Sequence, residues 1–141
     1  MKQRVYIDSS VFIIAKEFQN SNSAKILELL IAGEFHCIIS EKVLLEVINY
    51  FRKKHGKDIA SDYRNLLLKC CSIVTFDEII NDCAEWKGKI KDKDIEHIAT
   101  IKKYGISLLI AYDKDFKPFN EYRTPKAFLE ESGMPASREE Y

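Results

Sequence analysis

Short, wholly apolar runs alternate along this chain with segments whose apolar residues recur every three or four positions. Val5-Tyr6-Ile7 is the first run; residues 36–39, 71–76 and 106–112 follow. Consecutive apolar positions predict strands covered on both faces, as in the middle of a parallel sheet. Between them the period becomes helical. Ser9 and Ser10 are suitable caps for a helix through Val11-Phe12-Ile13-Ile14-Ala15. Ser21-Asn22-Ser23 predicts a turn, with Ser23 capping a helix that carries Ile26, Leu29 and Leu30 on one face and ends near Gly33. Ser40 caps the next, whose Val43, Leu44, Val47, Ile48 and Phe51 recur at helical spacing. The basic stretch 52–57 closes it. Further helices are predicted over 58–69, over 77–91, and from Asp94 to Tyr104 with a stop at Gly105. A short helical piece is expected around 126–131.

Strands alternating with helices imply parallel strands joined by right-handed crossovers, and so an α/β fold. The 141 residues leave room for one domain, expected over 1–131, with a polar, frayed tail over 132–141. With 22 basic and 22 acidic residues the net charge is zero, so overall charge offers no argument for nucleic-acid binding, although a local patch would suffice. Cys37, Cys70, Cys71 and Cys83 show neither a CxxC pair nor zinc spacing, and their apolar neighbours predict buried free thiols. No apolar run approaches the ~20 residues of a membrane span, and too few residues precede Asp8 for a signal peptide. A cytoplasmic protein without membrane contact is expected.

Candidate chemistry lies in four acids. Asp8 follows the first apolar run, and Asp113 follows Leu108-Leu109-Ile110-Ala111-Tyr112. Ligands of open α/β sheets bind outside the carboxyl ends of the strands. Carboxylates gathered there repel one another unless a cation compensates, and a hard divalent ion suits oxygen donors. Asp94 lies four and seven residues before Ile98 and Ile101, so it shares a helix face with core residues. Each acid also has a plainer reading. Asp8 and Asp94 are good helix caps, and Asp113 suits a turn. Glu46 falls off the Val43, Val47, Phe51 stripe, and periodicity does not prefer it to Glu41.

Together these segments resemble the PIN domain family over nearly the whole chain. Val5-Tyr6-Ile7-Asp8-Ser9-Ser10-Val11-Phe12 resembles its opening strand and first aspartate. Ile39-Ser40 with Leu44-Leu45-Glu46-Val47 resembles its second strand and helix-borne glutamate. Asp92-Lys93-Asp94-Ile95-Glu96-His97-Ile98-Ala99-Thr100 resembles the third acid at a helix head, and 108–116 the strand with the fourth. Thr124-Pro125-Lys126-Ala127-Phe128-Leu129 matches the closing stretch. The resemblance implies a three-layer α/β/α sandwich around a mostly parallel, twisted sheet of four to five strands. It implies a Mg2+- or Mn2+-dependent endoribonuclease, often the toxin of a VapBC-type toxin–antitoxin pair. Asp8, Glu46, Asp94 and Asp113 would form the catalytic metal site, with Asp8 and Asp113 as direct ligands. Ser10, Asp92 and Asp115 would support it. It further implies RNA as substrate, a homodimer, and an antitoxin partner seated near Phe12, Ile13 and Phe18. Two departures stand out. Ala111 replaces the usual hydroxyl residue two places before the fourth acid, and Asn120-Glu121-Tyr122-Arg123 makes a poor fifth strand.

Positive charge for RNA is sought in Arg52-Lys53-Lys54 and in Lys87, Lys89, Lys91 and Lys93, which would share helix faces. Tyr6, Tyr112 and Phe116 are candidate stacking residues, with core packing favoured for Tyr6. His36 and His97 are expected to be structural. The alternative function is a catalytically inactive PIN-like scaffold in an RNA-processing complex. A phosphoacceptor receiver domain with Asp77 as acceptor lacks the required acid pair and lysine.

Overall fold

The computed structural model describes residues 2–139 and 141. Five parallel strands form one sheet: β1 (Arg4–Ile7), β2 (His36–Ser40), β3 (Cys71–Val74), β4 (Leu108–Ile110) and β5 (Tyr122–Arg123). Their order is β3-β2-β1-β4-β5. The chain therefore builds outward from β1 to β2 and β3, then crosses to the other side of β1 for β4 and β5. That reversal creates a switch point between β1 and β4, the place where loops diverge and open a crevice at the carboxyl edge. Val5, Tyr6, Ile7, Leu109 and Ile110 are fully buried, as two-faced coverage requires.

Helices α1 (Ser9–Glu17), α2 (Asn22–Ile31), α3 (Glu41–His55), α4 (Lys57–Cys70), α5 (Phe76–Trp86), α6 (Ile95–Tyr104) and α7 (Pro125–Glu131) flank the sheet in an α/β/α arrangement. Their starts are chemically marked. Ser40 ends β2 and immediately caps α3, its Oγ accepting from the Val43 amide at 3.3 Å. Thr124 caps α7 in the same way, with Pro125 in the first turn. Gly105, at φ 60°, ends α6 in the left-handed conformation that a side chain would disfavour. The Arg4 guanidinium donates to the carbonyls of Tyr104 (2.6 Å) and Gly105 (3.1 Å), tying the end of α6 to the start of β1.

Several local expectations change. Asp8, not Ser9 or Ser10, is the N-cap of α1, and Ser21, not Ser23, caps α2. The helix predicted over 77–91 spans only Phe76–Trp86, because the chain turns at Gly88, where φ is 80°. The strands predicted over 71–76 and 106–112 shorten to four and three residues. The weak fifth strand exists but has two residues. Cys37 and Cys71 are buried, whereas Cys70 and Cys83 are half-buried; all four are free thiols. Described residues of the tail, expected to be frayed, make contacts with the body of the fold. The Ser137 amide donates to Asn22 Oδ1 at 2.7 Å, and Tyr141 stacks on Phe18. Phe12 is buried and unavailable as a docking residue, while Phe18 is exposed beside Tyr141. No described helix is long and apolar enough to cross a membrane.

Leu109 is central in the sheet and fully buried. Leu109→Ala is expected to cost about 2–5 kcal/mol, the usual range for a large-to-small core change, in a urea unfolding titration.

Candidate active site at the carboxyl edge

Asp8 leaves β1 at the switch point. Its amide donates to the Ile110 carbonyl at 3.0 Å, which joins the end of β1 to the end of β4. Its Oδ2 accepts from Ser10 Oγ at 2.7 Å, so Ser10 orients the carboxylate. Glu46 stands on α3. The residue is exposed as a whole, yet its carboxylate turns inward: one ligand atom from each of Asp8, Glu46 and His97 lies within 4.8 Å of the others. Burial, then the charge of Asp8, pushes the Glu46 carboxyl above its ordinary range, and Lys42 one turn earlier opposes this.

Asp94 is buried at the end of a 3-10 turn, Asp92–Asp94, that leads into α6. It occupies the N-cap position without a side-chain capping bond, so the cap reading fails for it. Asp113 follows β4 and accepts from the Asp115 amide at 2.9 Å. The Lys93 ammonium joins these acids. It contacts Asp94 Oδ1 at 3.3 Å, Asp115 Oδ2 at 3.0 Å, and Asp113 Oδ2. Lys91 adds a second contact to Asp115 at 2.9 Å. Burial alone would raise the Asp113 carboxyl, but Lys93 and the Asp115 amide carry it below its ordinary range. Lys42 Nζ in turn donates to the Lys93 carbonyl at 2.6 Å, linking α3 to this turn.

The four predicted acids thus fall into two adjoining sets, Asp8 with Glu46 and Asp94 with Asp113. His97 stands between them, one helical turn after Asp94, and feels the charges of both Asp8 and Asp94. It is buried, and burial lowers its pKa. Its Nδ1 lies 2.6 Å from Tyr6 OH, which donates to Ser40 Oγ at 2.9 Å. The i, i+3 spacing from Asp94 was the available signal that His97 shares the site face. Glu96 also belongs here: it raises Glu46 and lines an open depression of about 260 Å³ with Glu46, Lys42 and Phe76. Asp92 is exposed at the head of the turn.

Of the expected substrate residues, Phe116 and Tyr6 are core. Lys87, Lys89, Lys91 and Lys93 do not share helix faces, since the helix has ended. Arg52-Lys53-Lys54 occupy the last turn of α3, remote from its start, where they complement the helix dipole; Lys54 pairs with Glu17 at 3.0 Å. A different basic surface borders Asp113: Tyr112, Lys114, Lys117, Tyr122 and Lys126 line a depression of about 330 Å³.

A parallel α/β sheet with acids clustered at its switch point defines a class of proteins that act at the carboxyl edge. A family model of the PIN domain matches residues 5–121, and the chain belongs to that family. The fold is shared with a toxin–antitoxin complex from Klebsiella pneumoniae, at 22% identity and TM-score 0.65, covering 86% of this chain and 97% of that one. It is shared with VapC20 of Mycobacterium tuberculosis, described as a sarcin-ricin-loop-cleaving toxin, at 16% identity and TM-score 0.63 over 81% and 93% of the two chains. VapBC2 of Rickettsia felis, bound to a promoter DNA fragment, aligns at 16% identity and TM-score 0.67 over 86% and 98%. No curated protein matches.

Because Asp113 is held below its unfolded value of about 4, it contributes stability that is present above that pH and lost as the pH falls through the lowered value. In Lys93→Met, carbon-13 NMR should show Asp113 titrating nearer to the ordinary range. The loss of stability below about pH 4 should be shallower than in the wild type. Glu46 has the opposite sign: its raised value makes the folded state gain stability as the pH falls through it.

Proposed function

We propose that this protein is a divalent-metal-dependent endoribonuclease, the toxin of a toxin–antitoxin pair. The observation that carries the reading is the gathering of Asp8, Glu46, Asp94 and Asp113 at the β1/β4 switch point. The donor set fits a divalent ion. Asp8 and Glu46 place carboxylate atoms within one ion's reach, and burial followed by the charge of Asp8 raises Glu46. Mg2+ or Mn2+ would be held by Asp8 and Asp113, with Glu46 and Asp94 completing the site directly or through water. Bound there, the ion supplies positive charge to a phosphodiester and acidifies water for in-line attack. Ser10 orients Asp8. Asp115 acts on the site through Lys93, sharing its ammonium with Asp94 and Asp113.

The Lys114, Lys117 and Lys126 surface suits the phosphates of a single strand beside Asp113, with Tyr112 and Tyr122 as flanking rings. Exposed Leu45 and Phe76 line the Glu46 depression. That apolar border suits an antitoxin segment laid across the groove. A homodimer belongs to the same reading, and light scattering would test it. Two observations favour the alternative of an inactive scaffold: Lys93 already pairs with Asp94 and Asp113, and Ala111 offers no hydroxyl.

Cleavage of end-labelled single-stranded RNA with Mn2+ should be abolished by chelation. It should fall by about 100-fold or more in Asp8→Asn and Asp113→Asn, roughly 2.7 kcal/mol of transition-state stabilisation. Absence of both cleavage and metal binding in the wild type would select the scaffold. In an Asp8→Asn background, which keeps RNA intact, Lys114→Ala and Lys117→Ala should each lower the slope of log affinity against log salt by about 0.7.

A further inference from the structure

His97 has one nitrogen committed and one left facing the acids. Ser40 Oγ accepts from both the Val43 amide and the Tyr6 hydroxyl, so the Tyr6 proton points at Ser40. The phenol oxygen is then the acceptor for Nδ1–H of His97 at 2.6 Å. In the neutral imidazole this leaves the lone pair on Nε2. Nε2 stands 3.6 Å from Asp8 Oδ1, too long for a hydrogen bond. A lone pair aimed at a carboxylate from within a buried ring is repulsive unless a cation lies between them. The ring cannot easily turn away, since it packs edge-on to Tyr6 at 5.6 Å and to Phe116 at 5.9 Å.

The spacing suits a single ion. Donor atoms on one octahedral ion with bonds of ~2.1–2.3 Å are separated by ~3 Å when adjacent and by at most about 4.5 Å when opposite. The three donors of Asp8, Glu46 and His97 lie within 4.8 Å of one another, so side-chain movements of up to about an ångström would seat them on one centre. A metal-bound histidine almost always donates its other N–H to a fixed partner, and the Ser40–Tyr6 chain is such a partner. We propose that His97 is a nitrogen ligand of the ion held by Asp8 and Glu46, and that it tunes the centre toward Mn2+ and Co2+ against Mg2+. The preference follows from imidazole, which suits transition ions, whereas Mg2+ favours oxygen throughout. The proposal rests on the metal-site reading above.

Mn2+ alone is the probe. Electron spin-echo modulation of the Mn2+-loaded full chain is expected to show directly bound nitrogen, altered by 15N-histidine labelling. The signal should survive in His36→Gln/His55→Gln, whose histidines face Ser72 and Glu17 in the wild type. It should vanish in His97→Gln, with Mn2+ affinity reduced about 10- to 100-fold by thermal-shift titration and Mg2+ affinity changed by less than about threefold. Should His97→Gln fail to fold, the double variant decides alone, because His97 is its only remaining histidine. Mn2+ bound in an Asp8-dependent manner without a nitrogen signal would overturn the proposal and leave the metal-site reading intact. Absence of Mn2+ binding would overturn both.

Discussion

Repulsion between carboxylates governs the carboxyl edge of this sheet. Asp8 and Asp113 are brought close because β1 and β4 are neighbours, and Asp94 and Glu46 are delivered to the same edge by the starts of α6 and α3. Such a cluster is unfavourable without compensation. The fold supplies it unequally. Lys93 spans Asp94, Asp113 and Asp115, whereas Glu46 has the charge of Lys42 and Asp8 the hydroxyl of Ser10. One half of the cluster is neutralised by the protein's own ammonium; the other half is where the proposed function places a cation.

The buried chain from Ser40 through Tyr6 to His97 serves two structural purposes. It satisfies polar groups deep in the core, which would otherwise be costly to bury. It also connects β1, the cap of α3 and the first turn of α6, the elements that carry three of the four acids. Their relative placement is therefore held by hydrogen bonds as well as by packing. A change at Ser40 would loosen the cap of α3 and the orientation of His97 together, although Ser40 is not itself one of the acids.

Much of the fold was legible because the signals were local. The apolar runs located four strands, and Ser40, Gly105 and Thr124-Pro125 marked helix ends by chemistry that operates within a few residues. Errors arose where two local signals competed. Asp8 and Ser9 are both able caps, as are Ser21 and Ser23; the first of each pair takes the position, accepting from the Ser10 and Ala24 amides. The sequence alone predicts a helix over 77–91, where lysine is a good helix former. Gly88 instead turns the chain so that Lys91 and Lys93 reach the acids.

By itself the sequence determined the alternation of strands and helices, and the resemblance pointed to four acids in order along the chain. These depend on periodicity and on near neighbours. Only the tertiary structure decided that Glu46, which lies off the apolar stripe of α3, turns its carboxylate inward, and that His97 joins it. It also decided that Lys93 sits among the acids, and that Lys114, Lys117 and Lys126 make the basic surface instead of Arg52-Lys53-Lys54. Electrostatic energy depends on distance through space, and the chain brings Asp8 and His97 together across 89 positions of sequence. No local pattern records that separation; the order of the strands does.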